Sequence, residues 1–445
     1  MRGLKGLAAA AMLMASCASA QISLSAAVDL ALRNDPKVKA AQADVDNARA
    51  ALAEANAAYI PSVSVAGGYG AATGVPLNLP VVFSLSSQSL LFNFSQRDNL
   101  RAANAAVESA KLALEEMREK VSEDVVETYL DLDNAQQRDA VKKQAYGYAT
   151  RLVRIVNDRY DAGQDTRLQL LEAKHTAAQM NWNQLHEEDE VATLAEHLLF
   201  LVGIPGDHIE TIPSSIPAMP DLHTAVANES DSAGVRAAEA SARSKQEVAF
   251  GERRYALRPQ IGFGANYSRI TTTHTSYTTY YPAFLNKHSD NALSVGIQIQ
   301  IPLFDRGHDE RAHQAAAEAS RARFTAEDER NQFLEGRFKL RHSLEELNAG
   351  VDVAQTASEL SKAQLEAVEA QLTASASDPD RPQMTPKDEQ NARLQQSQKE
   401  IDLLNAQQQM NQAEVNLLRQ TGQLDGWIKT SLALPVSISP TAAKP

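Results

Sequence analysis

The chain has 445 residues, a formal net charge of -13, 43% hydrophobic but only 5% aromatic residues, and a single cysteine, Cys17. Its length would accommodate two or three ordinary domains, but the dominance of Ala, Leu, Glu, Gln and Arg is the composition of long helices with thin apolar seams. The acidic balance argues against nucleic acid as a partner, and one cysteine builds no disulfide framework.

Residues 1–20 read as a secretory signal peptide. Arg2 and Lys5 precede an apolar run to Met14, and Ala18-Ser19-Ala20 supplies a small-residue cleavage site. Met14-Ala15-Ser16-Cys17 is also similar to a lipoprotein processing box, so lipidation of Cys17 stands beside ordinary cleavage after Ala20. No run of eighteen apolar residues follows, so membrane insertion would have to use strands.

The first repeat spans 21–204. A helix over 24–58 is interrupted around Asn34-Asp35-Pro36, and Pro61 ends it. Strands are predicted at about 62–72 and 81–94, and a slip of parity between Leu85 and Leu90 marks a bulge or a strand boundary. A long helix follows over about 95–160, with Val107, Ala110, Leu114, Met117, Val121, Val125, Thr128, Leu132 and Ala135 stepping by three and four as in a coiled-coil seam. Unbroken, it would be on the order of 100 Å long. Asp161-Ala162-Gly163-Gln164-Asp165 breaks it, and Thr166 with Gln169 forms a capping box for a helix to 202. Gly203-Ile204-Pro205-Gly206 stops that helix, and 205–220 reads as a linker.

The same order then begins again. Leu24, Ala27, Val28 and Pro61 recur as Leu222, Ala225, Val226 and Pro259, 198 residues on. Phe92 recurs as Phe304 after 212 residues, and Thr166 and Gly203 recur as Thr385 and Gly422 after 219. The shift is constant within elements and grows only between them, as in a duplicated unit with loop insertions. The second repeat, 221–425, is predicted to carry strands at about 260–270 and 292–302 and long helices at about 304–374 and 385–421. A tail covers 426–445. In the last strand Leu293, Val295, Ile297, Ile299 and Ile301 alternate with Ser294, Gly296, Gln298 and Gln300, so one face is apolar and the other polar.

Leu24-Ser25-Ala26-Ala27-Val28 through Asn34-Asp35-Pro36, the junction Ile301-Pro302-Leu303-Phe304-Asp305-Arg306-Gly307, Ala392-Arg393 and Leu418-Arg419-Gln420-Thr421-Gly422 resemble the TolC-like outer-membrane efflux protein family. The first junction, Leu91-Phe92-Asn93-Phe94-Ser95, lacks the Asp and the Gly of the second. The resemblance covers essentially the whole mature chain. It implies a mainly α fold with a small membrane β-barrel portion, built as two tandem repeats of helix-strand-strand-long helix-helix. It further implies a homotrimer with a twelve-stranded barrel among outer-membrane lipid and a long periplasmic α-helical barrel. Four strands are too few to close a barrel alone, which independently requires association. The implied function is the exit duct of a tripartite export system for small molecules, working with a periplasmic adaptor (membrane fusion) protein and an inner-membrane transporter. The outer component of a type I protein secretion system is the alternative within export. A periplasmic coiled-coil scaffold or adhesin is the alternative of another class, and the strand alternation speaks against it.

Val295, Ile297 and Ile299 are expected to face lipid, and Gln298 and Gln300 the lumen. Gly163, Thr166, Thr385 and Pro386 serve locally as helix stops and starts, and the resemblance implies that an adaptor docks at these periplasmic tip turns. Asp161, Asp165, Asp378 and Asp380 stand at the same turns. Asp favours such positions for turn and cap chemistry, and in a trimer the four would crowd negative charge where the duct is gated. His175, His186 and His197 are eleven residues apart on one helix face, which separates neighbours by about 16 Å, too far for shared coordination. Nothing resembles a nucleophile with its base, a phosphate-cradling loop or a zinc motif, so neither an enzyme nor a cofactor is expected.

Overall fold

The computed structural model describes residues 20–68, 81–206, 209–220, 231–255, 258–270, 291–375 and 384–430. In chain order they form β1 (Ala20–Ile22), α1 (Leu24–Asn34), α2 (Pro36–Ala57), β2 (Ser62–Gly67), β3 (Val81–Phe92), α3 (Phe94–Asp161), α4 (Arg167–Val202), β4 (Ile209–Thr211), α5 (Ala233–Arg253), β5 (Gln260–Ile270), β6 (Asn291–Gln300), α6 (Arg306–Ser375), α7 (Pro386–Gln420) and α8 (Leu424–Thr430). Helices α3 and α6 have 68 and 70 residues, several times the usual globular length of about 11–12. The leader with Cys17, residues 221–230 with Leu222, Ala225 and Val226, residues 271–290 between the two strands predicted for the second repeat, and residues 376–383 with Asp378 and Asp380 lie outside the described residues.

The duplication is visible in the backbone. Helices α3 and α6 begin 212 residues apart, and the N-caps Thr166 and Thr385 of α4 and α7 stand 219 apart. Gly203 and Gly422, also 219 apart, end α4 and α7 in the same left-handed conformation at φ 69°.

Three expectations need correction. The stretch 205–220 is more than a linker: β4 pairs in parallel with β1, Ala20 opposite Ile209, and Pro213–Ser215 forms a 3-10 turn. A three-residue strand is too short to show periodicity. The tail does not start at 426, because α8 runs to Thr430 with Leu424, Trp427 and Ile428 buried, and the Trp427 indole N–H donates to the Ala218 carbonyl at 3.1 Å. Strand β3 pairs without a break from Phe83 to Leu90, and its register shifts fall at Val81/Phe83 and Leu90/Phe92. The parity slip in the sequence came from Ser86, Ser87 and Ser89, which put small polar side chains on both faces.

The chain divides into two compact units. The first comprises Met1–Lys39, Glu116–Ser232 and Gln332–Pro445. Its core is built on α3, where Val121, Val125, Val126, Tyr129 and Leu132 are fully buried. This is wider than the expected coiled-coil seam, because the helix is covered by the β1–β4 region on one side and by α4 and α7 on others. The Tyr129 hydroxyl donates to the Ile22 carbonyl (2.8 Å) and accepts from the Ile212 N–H (2.7 Å), tying α3 to the last residue of β1 and to the chain just after β4. A smaller cluster joins Leu152 and Val156 of α3 to Leu170 and Ala173 of α4, with Leu394 of α7 packed against it.

The second unit comprises Ala40–Glu115 and Ala233–Asn331. It holds an antiparallel sheet in the order β2-β3-β5-β6. Its helices approach closely through small residues: Ser109 of α3 donates to the Ala237 carbonyl of α5 (2.9 Å), and Ser244 of α5 to the Ala102 carbonyl of α3 (2.8 Å). The buried Asp98 carboxylate is neutralised by Arg254 at 3.2 Å and by Arg101 one helical turn on.

Candidate functional site

Two places in the fold carry the expected functional residues. The first is the four-stranded sheet. Register places Val65 opposite Leu85, Leu85 opposite Tyr267, and Tyr267 opposite Leu293. Phe263 stands opposite Ile297 and Ala265 opposite Val295. Because side chains alternate across a strand, this register gathers apolar side chains of all four strands on one face, interrupted in β3 by the small polar Ser87 and Ser89. Val295, Ile297 and Ile299 lie on it, and they are 63%, 66% and 64% exposed, as no soluble protein core would leave them. The opposite face carries Ser62, Ser64, Ser84, Ser86, Gln88, Gly262, Asn266, Ser294, Gln298 and Gln300. On it Ser64 and Ser86 hydrogen-bond at 2.7 Å. The sheet therefore has a lipid-compatible side and a water-compatible side.

The second place, in the first unit, is the α3–α4 turn and the start of α7. Gly163 closes the α3–α4 turn at φ 74°, a conformation that favours glycine. Thr166 caps α4 with the expected box: its hydroxyl accepts from Gln169 N–H (3.3 Å), and the Gln169 side chain accepts from Thr166 N–H (2.8 Å). At α7, with Pro386 at its first position, Asp388 takes the glutamine's part and accepts both the N–H (2.9 Å) and the hydroxyl (2.6 Å) of Thr385. The structure joins the start of α7 to the α3–α4 turn. Asp165 is buried and accepts from Arg159 Nε at 3.2 Å, while Lys387 Nζ of α7 stands 3.5 Å from the same oxygen. The hydrogen bond from Arg159, then the charge of Lys387, hold the Asp165 carboxyl below the usual carboxylate range. Asp161 is exposed and accepts from Asn157 at 3.1 Å, apart from that pair.

His175, His186 and His197 are all exposed on α4, and His186 stacks on Trp182 with ring centroids 6.0 Å apart. Among the described residues no group of three or more His, Cys, Asp or Glu is placed to hold a metal ion. No described helix is long and apolar enough to cross a membrane.

Sequence reasoning missed a buried polar hub in the first unit. The Arg138 guanidinium of α3 donates to Glu187 (2.7 Å) and Glu190 (3.0 Å) of α4 and to Asn405 (3.1 Å) and Gln408 of α7, and Lys142 also pairs with Glu187. The signal was present. Leu132, Ala135, Arg138, Lys142, Ala145 and Ala149 step by three and four, so Arg138 occupies a seam position where a solvated arginine would not be expected.

A sheet with one apolar and one polar face, two edges left open among the described residues, and exceptionally long helices paired in two repeats define the class: a channel-type protein that enters its membrane by strands. The chain belongs to the outer membrane efflux protein family, whose model matches residues 27–204 and 225–423, once for each repeat. Three solved structures share the fold. VceC of Vibrio cholerae, an outer membrane protein, is 17% identical, with a TM-score of 0.71 over 90% of this chain and 96% of that one. The CmeC outer membrane channel of Campylobacter jejuni is 16% identical, with a TM-score of 0.71 over 94% of this chain and 90% of that one. The open state of the MtrE outer membrane channel of Neisseria gonorrhoeae is 16% identical, with a TM-score of 0.67 over 90% and 89%. Comparison with curated proteins finds no match. The chain is accordingly an outer-membrane exit duct of a Gram-negative-type envelope, with its helical part in the periplasm, and not an enzyme.

Proposed function

We propose that three copies of this chain close one twelve-stranded barrel and pass small molecules outward, receiving them from an inner-membrane transporter through a periplasmic adaptor. The observation that carries this reading is the sheet: one face gathers apolar side chains from all four strands, and β2 and β6 are edges with no strand beyond them among the described residues. In lipid each unpaired backbone group costs several kcal/mol, and about eight strands is the smallest barrel that closes. Pairing β2 of one copy with β6 of the next satisfies both edges, and three copies give twelve strands. Val295, Ile297 and Ile299 then face lipid, and Gln298 and Gln300 the water-filled lumen.

In this reading the turns at Gly163, Thr166, Thr385 and Pro386 form the periplasmic tip at which the adaptor docks. Asp161, Asp378 and Asp380 bring negative charge to it, while Asp165, its charge met by Arg159 and Lys387, holds α7 to the α3–α4 turn of the same copy when the end is closed. The family match supports efflux as the direction of transport, and the polar inner face supports a hydrated path.

The first test is the native mass of the protein extracted in mild detergent from isolated outer membranes, followed by single-channel recording in planar bilayers. A trimer that conducts is expected. A monomer without conductance would sink the reading. Deleting the gene separates the two export classes. Accumulation of a small fluorescent dye in the cells supports small-molecule efflux, whereas loss of a secreted protein with dye export unchanged would assign the duct to type I secretion.

A further inference from the structure

In the first unit, α3 and α7 meet along a seam crowded with carboxylates, and each cation there is already engaged. Arg419 of α7 binds Glu116 (2.7 Å) and Glu123 (2.9 Å) of α3. Lys120 stands 3.5 Å from Glu116, and Lys37 of α2 pairs with Asp124 at 3.4 Å. Asp131 is held by neutral donors, the side-chain amides of Gln408 (2.7 Å) and Gln412 (3.0 Å) of α7. Glu123 is buried, and its second oxygen, Oε1, has no hydrogen-bond partner among the described residues. Glu127 sits one helical turn from both Glu123 and Asp131, and no ion pair or hydrogen bond to its carboxylate is found among the described residues.

We infer that Glu127 is a proton-binding site that controls the α3–α7 seam: protonated, it lets the helices close on one another, and ionised, it loosens them. The inference goes beyond the transport reading and does not depend on what the duct carries.

The electrostatics agree with the geometry. The charged groups acting on Glu127 are Glu123, Asp131 and Asp124 of its own helix and Arg419 of α7. Burial, then the charges of Glu123, Asp131 and Asp124, push its carboxyl from 4.5 up to about 7, and Arg419 offsets only part of this. Glu123 is also raised, by burial first, with Arg419 opposing, and Glu414 of α7 is raised by burial. A carboxyl whose value is raised in the folded state binds a proton there that the unfolded chain has released. Its contribution to stability is therefore full below 4.5 and is lost as pH climbs to about 7. Near neutrality a small change in pH changes the charge of the seam.

The test is amide hydrogen exchange of the full chain in detergent micelles between pH 5.5 and 8.5, corrected for the intrinsic pH dependence of exchange. In the wild type, peptides covering 116–135 and 405–420 are expected to lose protection about tenfold across neutrality. In Glu127→Gln, which keeps the neutral shape, that pH dependence disappears. Should this variant fold poorly, Asp131→Asn provides the second arm: removing one like charge moves the midpoint of the loosening to lower pH. Wild-type protection independent of pH, an unchanged pH dependence in Glu127→Gln, or an unmoved midpoint in Asp131→Asn would each overturn the inference.

Discussion

Replacing Arg138 by methionine tests how the periplasmic helices are held together. The arginine side chain is 6% exposed and that of Glu187 is 2% exposed, so neither can turn to water when its partner is removed. The substitution removes donors to Glu187, Glu190, Asn405 and Gln408 at once and leaves Glu187 with Lys142 alone. Breaking one side of a buried pair costs about 3–5 kcal/mol, and the surviving lysine places this case near the lower end, at about 3 kcal/mol. At 1.4 kcal/mol per factor of ten, exchange of protected amides around 180–195 and 400–412 should accelerate about 10²-fold. The double variant Arg138→Met with Glu187→Leu removes both buried charges and should recover stability to within about 1 kcal/mol of the wild type, since well-packed apolar replacements of buried pairs are often neutral. A rise of less than about threefold in the single variant, about 0.65 kcal/mol or less, would refute the argument that this hub clamps α3, α4 and α7.

The remaining predictions concern the turns and the sheet. Gly203→Ala should destabilise by about 2–4 kcal/mol, from left-handed strain together with the displacement of Asn34 and its hydrogen bond to the Val202 carbonyl. A Cβ there would stand 2.8 Å from that of Asn34. Gly163→Ala meets nothing within 4 Å and should cost only about 1 kcal/mol, so equal shifts in denaturation midpoint would contradict the distinction. Asp165 contributes its pairing at pH above the ordinary carboxylate range and loses it as pH falls through its depressed value. Acidification should therefore raise open probability in planar bilayers, Asp165→Asn should raise it at neutral pH, and the variant should lose the acid response. A variant that keeps it would detach Asp165 from gating. Ile297→Lys should reduce the yield of folded protein in the membrane, with a cost of about 2–4 kcal/mol if the residue lies at mid-bilayer. Gln298→Lys should leave the yield unchanged and shift conductance toward anions, and the opposite pattern would reverse the two faces of the sheet.

Much of this architecture was legible in the residues. The alternation from Leu293 to Ile301 defined a two-faced strand, and Thr166 with Gln169 defined a helix start that the backbone reproduces. The shared spacing of Thr166 and Thr385, and of Gly203 and Gly422, revealed the duplication. These signals are local: a period, a cap or a left-handed glycine is written within a few residues. The β1–β4 pair escaped because three residues carry no period, and α8 escaped because seven residues stabilise a helix only when Trp427 has a surface to bury against.

The functional pairings were less legible, because charge partners chosen across distant helices leave no local trace. Asp165 looked like one member of an acidic group, yet the fold brings Arg159 and Lys387 to it and removes its free charge. Arg138 sat openly at a seam position, but its partners are 49 to 270 residues away. Glu127 has no local signature, and it is set apart only because α7 brings one arginine and neutral amides against a row of carboxylates. The sequence by itself determined the long helices and the four strands of the larger sheet, their order, their repetition and the two faces of the last strand, since these follow from backbone sterics and the periodic burial of apolar side chains. Only the tertiary structure decided which charges are paired, which are buried without a partner and where a proton is held, because Coulomb and desolvation energies depend on distance in space and not on distance along the chain.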